Sequence, residues 1–359
     1  MTAFLSVVLI ILFFGILIAI HELGHFIAAK ALGVRVNEFS IGMGPALLSR
    51  EKGETLYSLR AFPIGGFCAM EGEQEDSDDP GAFQNKPAWK RFIILVAGAF
   101  MNFVAGLLII LVIFFAAGSP AAPVFTGVMA GAESVLDTGL RPGDQFYTID
   151  GHRIYFQSDA ITFLNRAGED VAVTVLRDGE KVDLGTIHLP YLRLVDETGQ
   201  TVEKRGVYVG QVQEDTVLTR LRNSWYQAVD YVRLVWISLG DLLTGAVGLR
   251  DLSGVIGITA VAGQVGQAGA EAAGAFGALI NLLDFTALIA INLAVMNLLP
   301  IPALDGGQIF LMIVNGIYRL FTKRSIDPKY LGYVNAAGFC CLIALMVVVA
   351  VSDVTKFIL

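Results

Sequence analysis

His21-Glu22-Leu23-Gly24-His25 closes an apolar run, Ala3 to Ile20, that is long enough to span a bilayer. Its placement makes this stretch informative. A charged side chain at the bilayer centre costs about 2.5–3.5 kcal/mol on insertion scales, so two histidines and a carboxylate at membrane depth need a compensating partner. A metal ion supplies one. On a helix, residues four apart project from one face about one turn apart. His21 and His25 can therefore both reach one Zn²⁺, with Glu22 beside them to handle the proton of a metal-bound water. The chain has only 4 His, which makes a chance pairing rare. The plain alternative is a pair of helix-end histidines bonded to water or headgroups.

Composition sets the class. The chain has 359 residues, 55% of them hydrophobic, and a mean hydropathy of +0.64. It reads as an integral membrane protein with room for one extra soluble domain. The net charge is −8 and no polybasic arm appears, which points away from nucleic acid. Cys68, Cys340 and Cys341 give neither a disulfide framework nor a zinc-finger spacing. The first apolar run lacks a basic n-region and a small-residue cleavage pattern, so it reads as a retained transmembrane helix.

Working outward, four spans are read at 1–33, 91–118, 274–300 and 334–355. Between them lie a hairpin and loop region at 34–90, a soluble domain at 119–214 and a linker at 215–273. A turn and loop occupy 301–333. Lys and Arg concentrate between Lys30 and Arg91 and again from Arg319 to Lys329. That bias places both loops in the cytoplasm and both termini outside, with the His-Glu motif toward the cytoplasmic side. The acidic run Glu71, Glu73, Glu75, Asp76, Asp78 and Asp79 does not overturn it, because acids contribute little to the rule.

The soluble stretch carries short β-like runs, Val124–Val128 and Val171–Leu176, with a hairpin turn at Arg177-Asp178-Gly179-Glu180. Asp150-Gly151 follows another short strand, Phe146–Ile149. In the cytoplasmic region, Phe39 to Pro45 and Thr55 to Leu59 flank a polar turn, and Pro63-Ile64-Gly65-Gly66-Phe67 follows. Gly and Pro at this density favour a β-hairpin, whose edge offers pairing to an extended substrate; an ordinary connecting hairpin is the alternative. Leu218, Leu221, Trp225, Val229, Val232 and Trp236 recur at helical spacing. That amphipathic helix lies on the outer membrane surface or packs on the soluble domain. The Gly- and Ala-rich stretch from Gly254 to Ala275 is either a loop or a closely packed helix.

A zinc hydrolase usually has three protein ligands and an open position for water. His152 and His188 lie in the soluble domain, so the third ligand should be a carboxylate at the depth of the motif. Asp305 is the best candidate, in Asn297-Leu298-Leu299-Pro300-Ile301-Pro302-Ala303-Leu304-Asp305-Gly306-Gly307. The prolines prevent regular helix and the Gly pair permits a tight turn. Irregular backbone at membrane depth needs protein or a water-filled cavity around it. Asp284, inside the third span, lies at another depth and is expected to be paired or wet.

The two motifs together resemble the site-2 protease family of intramembrane zinc metalloproteases, most closely the bacterial RseP type, here with a single PDZ domain. The resemblance covers nearly the whole chain. It implies a polytopic α-helical membrane protein of about four spans. A cytoplasmic-side, membrane-associated β-hairpin and one extracytoplasmic PDZ-like α/β domain complete that fold. It also implies Zn²⁺ held by His21, His25 and Asp305, Glu22 as the general base, and substrate contact by Asn297, Asn102, Gly65 and Gly66. Where the family often reads Gly-Pro-x-x-Asn, this chain has Gly98-Ala99-Phe100-Met101-Asn102. The implied location is the bacterial inner membrane. The implied partners are lipid, a peptide ligand of the PDZ domain, and single-span membrane proteins such as anti-sigma factors or remnant signal peptides. The competing readings are a non-catalytic PDZ scaffold and a metal transporter with the His pair on its pathway.

Overall fold

Long apolar runs become helices because a bilayer offers the backbone no partner outside the segment. The computed structural model describes residues 3–73, 77–195, 201–248, 252–324 and 326–357. Its helices are α1 (Ala3–Ala31), α2 (Ala88–Ala117), α3 (Gln157–Arg166), α4 (Val217–Thr244), α5 (Val255–Asn297), α6 (Asp305–Thr322) and α7 (Pro328–Phe357). Among the described residues, four stretches are long and apolar enough to cross a membrane: Ile11–Ala31, Ala88–Ala117, Ile256–Asn297 and Lys329–Lys356. The last helix starts earlier than the sequence boundary at 334, because Pro328 suits a first helical turn.

The third stretch is not one rod. Ala273 (φ −148°, ψ 29°) and Gly274 (φ 62°, ψ −148°) leave the helical region. Asn281 Nδ2 donates to the carbonyl of Val265 at 3.2 Å, and a Cβ on Gly269 would lie 2.9 Å from Cα of Ala278. In a straight helix, residues nine apart are about 13.5 Å apart, so the chain turns back on itself here. The Gly- and Ala-rich stretch is therefore a helix, packed closely against the span that follows it. Small residues let the two backbones approach.

The chain divides into two compact units, one comprising Met1–Ile113 with Tyr231–Leu359, the other Phe114–Asp230. The first unit holds the hairpin strands β1 (Val36–Lys52) and β2 (Thr55–Met70). Both strands bend. Gly42 and Gly44 (both φ 86°) and Gly65 (φ 92°) supply left-handed turns. Phe39, Ser40 and Ile41 consequently face Cys68, Phe67 and Gly66 on one side and Tyr57, Ser58 and Leu59 on the other. The hairpin thus folds into four segments, ordered 46–52, 55–60, 36–41 and 66–70, with 66–70 at one edge. Phe39, Cys68 and Met70 pack with Leu23 and Phe26 of α1. Met43, Leu47, Leu48 and Phe62 are exposed on the hairpin, a surface suited to lipid.

The second unit holds a sheet in the order β10 (Val207–Gln211), β3 (Ala122–Val128), β4 (Gln145–Ile149), β6 (Asp170–Arg177), β7 (Glu180–His188), with β5 (His152–Arg153) on β4. A separate hairpin pairs β8 (Leu192–Val195) with β9 (Thr201–Lys204). Phe125, Phe146, Ile149, Phe156 and Leu164 are fully buried. Asp178-Gly179 (φ 52° and 85°) makes the β6–β7 turn, as the two-residue hairpin signal requires. In α4 the apolar stripe faces outward: Leu218, Leu221, Trp225 and Trp236 are exposed, while Asn223, Ser224, Gln227 and Asp230 are buried. The same helix also buries Ala228, Tyr231 and Val235.

Candidate metal centre

Helix α1 presents His21 and His25 from one face, both buried, with ring centroids 4.8 Å apart. Asp305 arrives from the first turn of α6. The turn before it is tight. Ala303 takes a left-handed φ of 75°, a strained conformation for a residue with a Cβ. Gly306 and Gly307 are helical, and their value is close approach: a Cβ on either would collide with the carbonyls of Leu299 or Ile301. The Pro-x-Pro segment thus folds directly onto the helix start and fixes Asp305.

Three ligand atoms converge. His21 Nε2 lies 3.2 Å from Asp305 Oδ2, His25 Nε2 lies 3.4 Å from it, and the two Nε2 atoms are 3.2 Å apart. A tetrahedral ion with bonds of about 2.0–2.1 Å puts its ligand atoms about 3.3–3.4 Å apart, so the three edges fit zinc. The proton inventory agrees. His25 donates Nδ1–H to the carbonyl of Ile94 at 2.8 Å, which leaves its Nε2 a lone pair. Asp305 Oδ2 is buried with no hydrogen-bond donor. Such an orphan costs about 1–3 kcal/mol or more unless a cation meets it.

Asn102 and Asn297 both place Nδ2 3.4 Å from His21 Nδ1. The Oδ1 of Asn102 is buried without a partner. With the amides of both Asn102 and Asn297 turned by 180°, their oxygens face Nδ1–H and Nε2 of His21 is free for a metal. Asn102 is 1% exposed. It lies behind His21. Its spacing from Gly98 was the only available signal.

Gly98 was missed as a site residue. A Cβ there would collide with Nε2 of His25 and lie 2.7 Å from Cε1 of His21. Across the crossing, a Cβ on Gly24 would collide with the carbonyl oxygen of Ala97. These two glycines let α1 and α2 touch where the imidazoles sit. Of the hairpin glycines, Gly66 faces the motif: its Cβ would lie 3.5 Å from Cγ of Glu22 and 2.9 Å from the carbonyl of Ser40. Gly65 instead makes the bend, against Met43. The edge segment 66–70 therefore runs past Glu22.

Two further acids lie near. Tyr231 donates to Asp284 Oδ1 at 2.6 Å, so the acid of the third span is paired. Glu73, just past the edge segment, is half-buried and close enough to His25, Asp305 and Glu22 to feel their charges. Burial pushes its carboxyl above the ordinary range against the pull of His25.

A family model for peptidase family M50 matches residues 9–345. The chain belongs to peptidase family M50. As an M50 member it is a zinc metalloprotease of the site-2 type. It is 35% identical over 357 residues to a Clostridium acetobutylicum protein carrying a zinc-metalloprotease name, covering 98% of each chain. It is 26% identical over 438 residues to the regulator of sigma-W protease RasP of Bacillus subtilis, covering 99% of each. The zinc metalloprotease RasP of Geobacillus kaustophilus is 26% identical over 434 residues, again covering 99% of each.

Proposed function

We propose that this M50 protease hydrolyses peptide bonds within the transmembrane segments of single-span membrane proteins. Anti-sigma factors and remnant signal peptides, trimmed outside first, are its substrate class. The observation that carries this reading is the tetrahedral spacing of His21, His25 and Asp305 at the end of a membrane-spanning helix. Those three side chains hold zinc. Bound there, zinc lowers the pKa of its water to about 7 and polarises the scissile carbonyl. Glu22 accepts the proton of the attacking water and delivers it to the leaving nitrogen. Asn102 orients His21, and Asn297, half-buried beside the same ring, reaches the substrate backbone.

A transmembrane helix hides its amides in its own hydrogen bonds, so the substrate must unwind. The edge at 66–70 offers replacement partners as an added strand would find them, with Gly66 admitting the chain next to Glu22. The Lys and Arg bias places this edge and the metal at the cytoplasmic side of the inner membrane, with both termini outside. The second unit acts as a PDZ-like filter for substrate outside the membrane. Its β10 is an edge strand whose Val209 carbonyl accepts from Gln157 of α3 at 2.6 Å. A peptide adding to β10 takes over that carbonyl.

The test is Glu22→Gln in the reconstituted full chain. Cleavage of a model single-span substrate should be lost while zinc content stays at one per chain. Survival of cleavage removes Glu22 from the mechanism, and a zinc-loaded wild type that cleaves nothing removes proteolysis.

A further inference from the structure

Glu73, in the acidic run after the hairpin, has no role in the metal centre described above. Asp79 pairs with Arg35 at 3.1 Å, and Glu71 accepts from Asn37 and Ser77. Glu73 makes no ion pair among the described residues. It forms part of the wall of a cavity of about 800 Å³ lined also by Gln84, Arg91, Gln308, Asn315 and Asn335.

Ala303 and Gln308, on either side of Asp305 along the chain, line this cavity. On α6, Asp305, Gln308, Met312 and Asn315 follow at steps of three and four, one face of the helix. In an otherwise apolar helix that face carries polar groups from the metal ligand into the cavity. On the facing walls, Nε of Arg91 and Oδ1 of Asn335 are buried without hydrogen-bond partners. Of these two, the Asn335 oxygen is an acceptor open to a cationic donor, whereas the Arg91 N–H can only donate. Glu73 follows shortly after Met70, the last residue of the edge along which an unwound substrate would lie. The Glu73 carboxyl accepts from the Met70 backbone and makes no ion pair with Arg91 of the same lining, which leaves carboxylate lone pairs for an incoming cation.

The occupant follows from general membrane physics. A single-span protein carries its Lys and Arg on the cytoplasmic flank of the span. We propose that this cavity is the subsite for that flanking basic residue, with Glu73 as its counter-ion. The pairing sets which bond of the unwound segment reaches the metal. Glu73 is thus a specificity-determining residue, and the assignment rests on the proteolytic reading above.

The experiment uses the zinc-loaded full chain in liposomes and three model single-span substrates differing only in a cytoplasmic flanking residue, Lys, Gln or Glu. The readouts are kcat/KM and the cleavage position by mass spectrometry. Wild type should prefer the Lys flank over the Gln flank by about five- to tenfold, the size of one partly buried ion pair. Glu73→Gln should bring that ratio to about one, Glu73→Asp should keep most of it, and Glu73→Lys should prefer the Glu flank. A ratio unchanged in Glu73→Gln, or a wild type that cleaves all three alike, overturns the subsite alone. A zinc-loaded wild type that cleaves none overturns proteolysis and the subsite together.

Discussion

Asp144, in the strand-rich unit, and Asp305, beside the spans, are both carboxylates largely withdrawn from water, and the fold treats them in opposite ways. Asp144 is 2% exposed and fully answered: Arg177 Nε reaches Oδ1 at 2.8 Å, Arg177 Nη2 reaches Oδ2 at 2.7 Å, and the Arg141 N–H donates at 2.8 Å. Asp305 is met by two ring nitrogens, of which that of His25 is held as a lone pair by the Ile94 carbonyl, and its Oδ2 has no donor. The first arrangement is complete within the polypeptide. The second is complete only around a cation. A buried acid surrounded by donors serves the fold, and one surrounded by acceptors serves a metal.

That contrast can be broken experimentally. Asp305→Ala should abolish cleavage and lower zinc affinity by more than about 100-fold, since losing a ligand exceeds the 10–100-fold cost of losing an outer partner. Metal analysis beside an activity assay checks it; retained zinc with a destabilised fold would reverse the roles of the two acids. Glu22→Gln should cut turnover by about 10²–10⁴ with zinc retained, which separates the base from the ligands. Arg177→Ala should destabilise the strand-rich unit by about 3 kcal/mol, the low end for stripping one partner from a buried pair, without changing zinc content. Asn102→Ala should cost about 10–100-fold in zinc affinity with little change in melting temperature. The smallest effect belongs to an exposed pair. Lys30 and Glu54 are 2.7 Å apart at the surface, and Glu54→Ala should shift stability by no more than about 0.5 kcal/mol.

The pH response sharpens the same comparison. Burial alone would raise Asp144, but Arg177 and the Arg141 N–H more than offset it and hold the carboxyl below its ordinary range. A carboxylate depressed in the folded state contributes stability above its unfolded value near 4 and loses it as pH falls through the lower folded value. The strand-rich unit should therefore weaken in acid below about pH 4, and Arg177→Ala should flatten that dependence. Denaturation followed between pH 3 and 7 reads both.

The two regions also differ in how much of them the chain announces. The Asp178-Gly179 turn is local chemistry, and so are the spans and the His21–His25 pair. Asp305 stood out because prolines and a glycine pair in a membrane context have few uses. The reason for those glycines was visible only in three dimensions, as close approach to Leu299 and Ile301. Gly98 and Asn102 act through contacts with α1, so no local pattern shows what they hold. The reversal at Ala273–Gly274 had the same obscurity, because Gly and Ala suit a loop and a tight helix packing equally.

Periodicity and hydropathy by themselves determined which segments leave water, and they put two imidazoles on one helical face. Those are properties of neighbours along a chain, set by 3.6 residues per turn and by the cost of exposing apolar surface. Tertiary structure alone decided that a carbonyl of α2 fixes the His25 tautomer and that an asparagine backs His21. It also placed the carboxylate of residue 305 at tetrahedral spacing from both rings. Coordination requires atoms from remote segments to agree to within tenths of an ångström, and only packed backbones in contact impose that agreement.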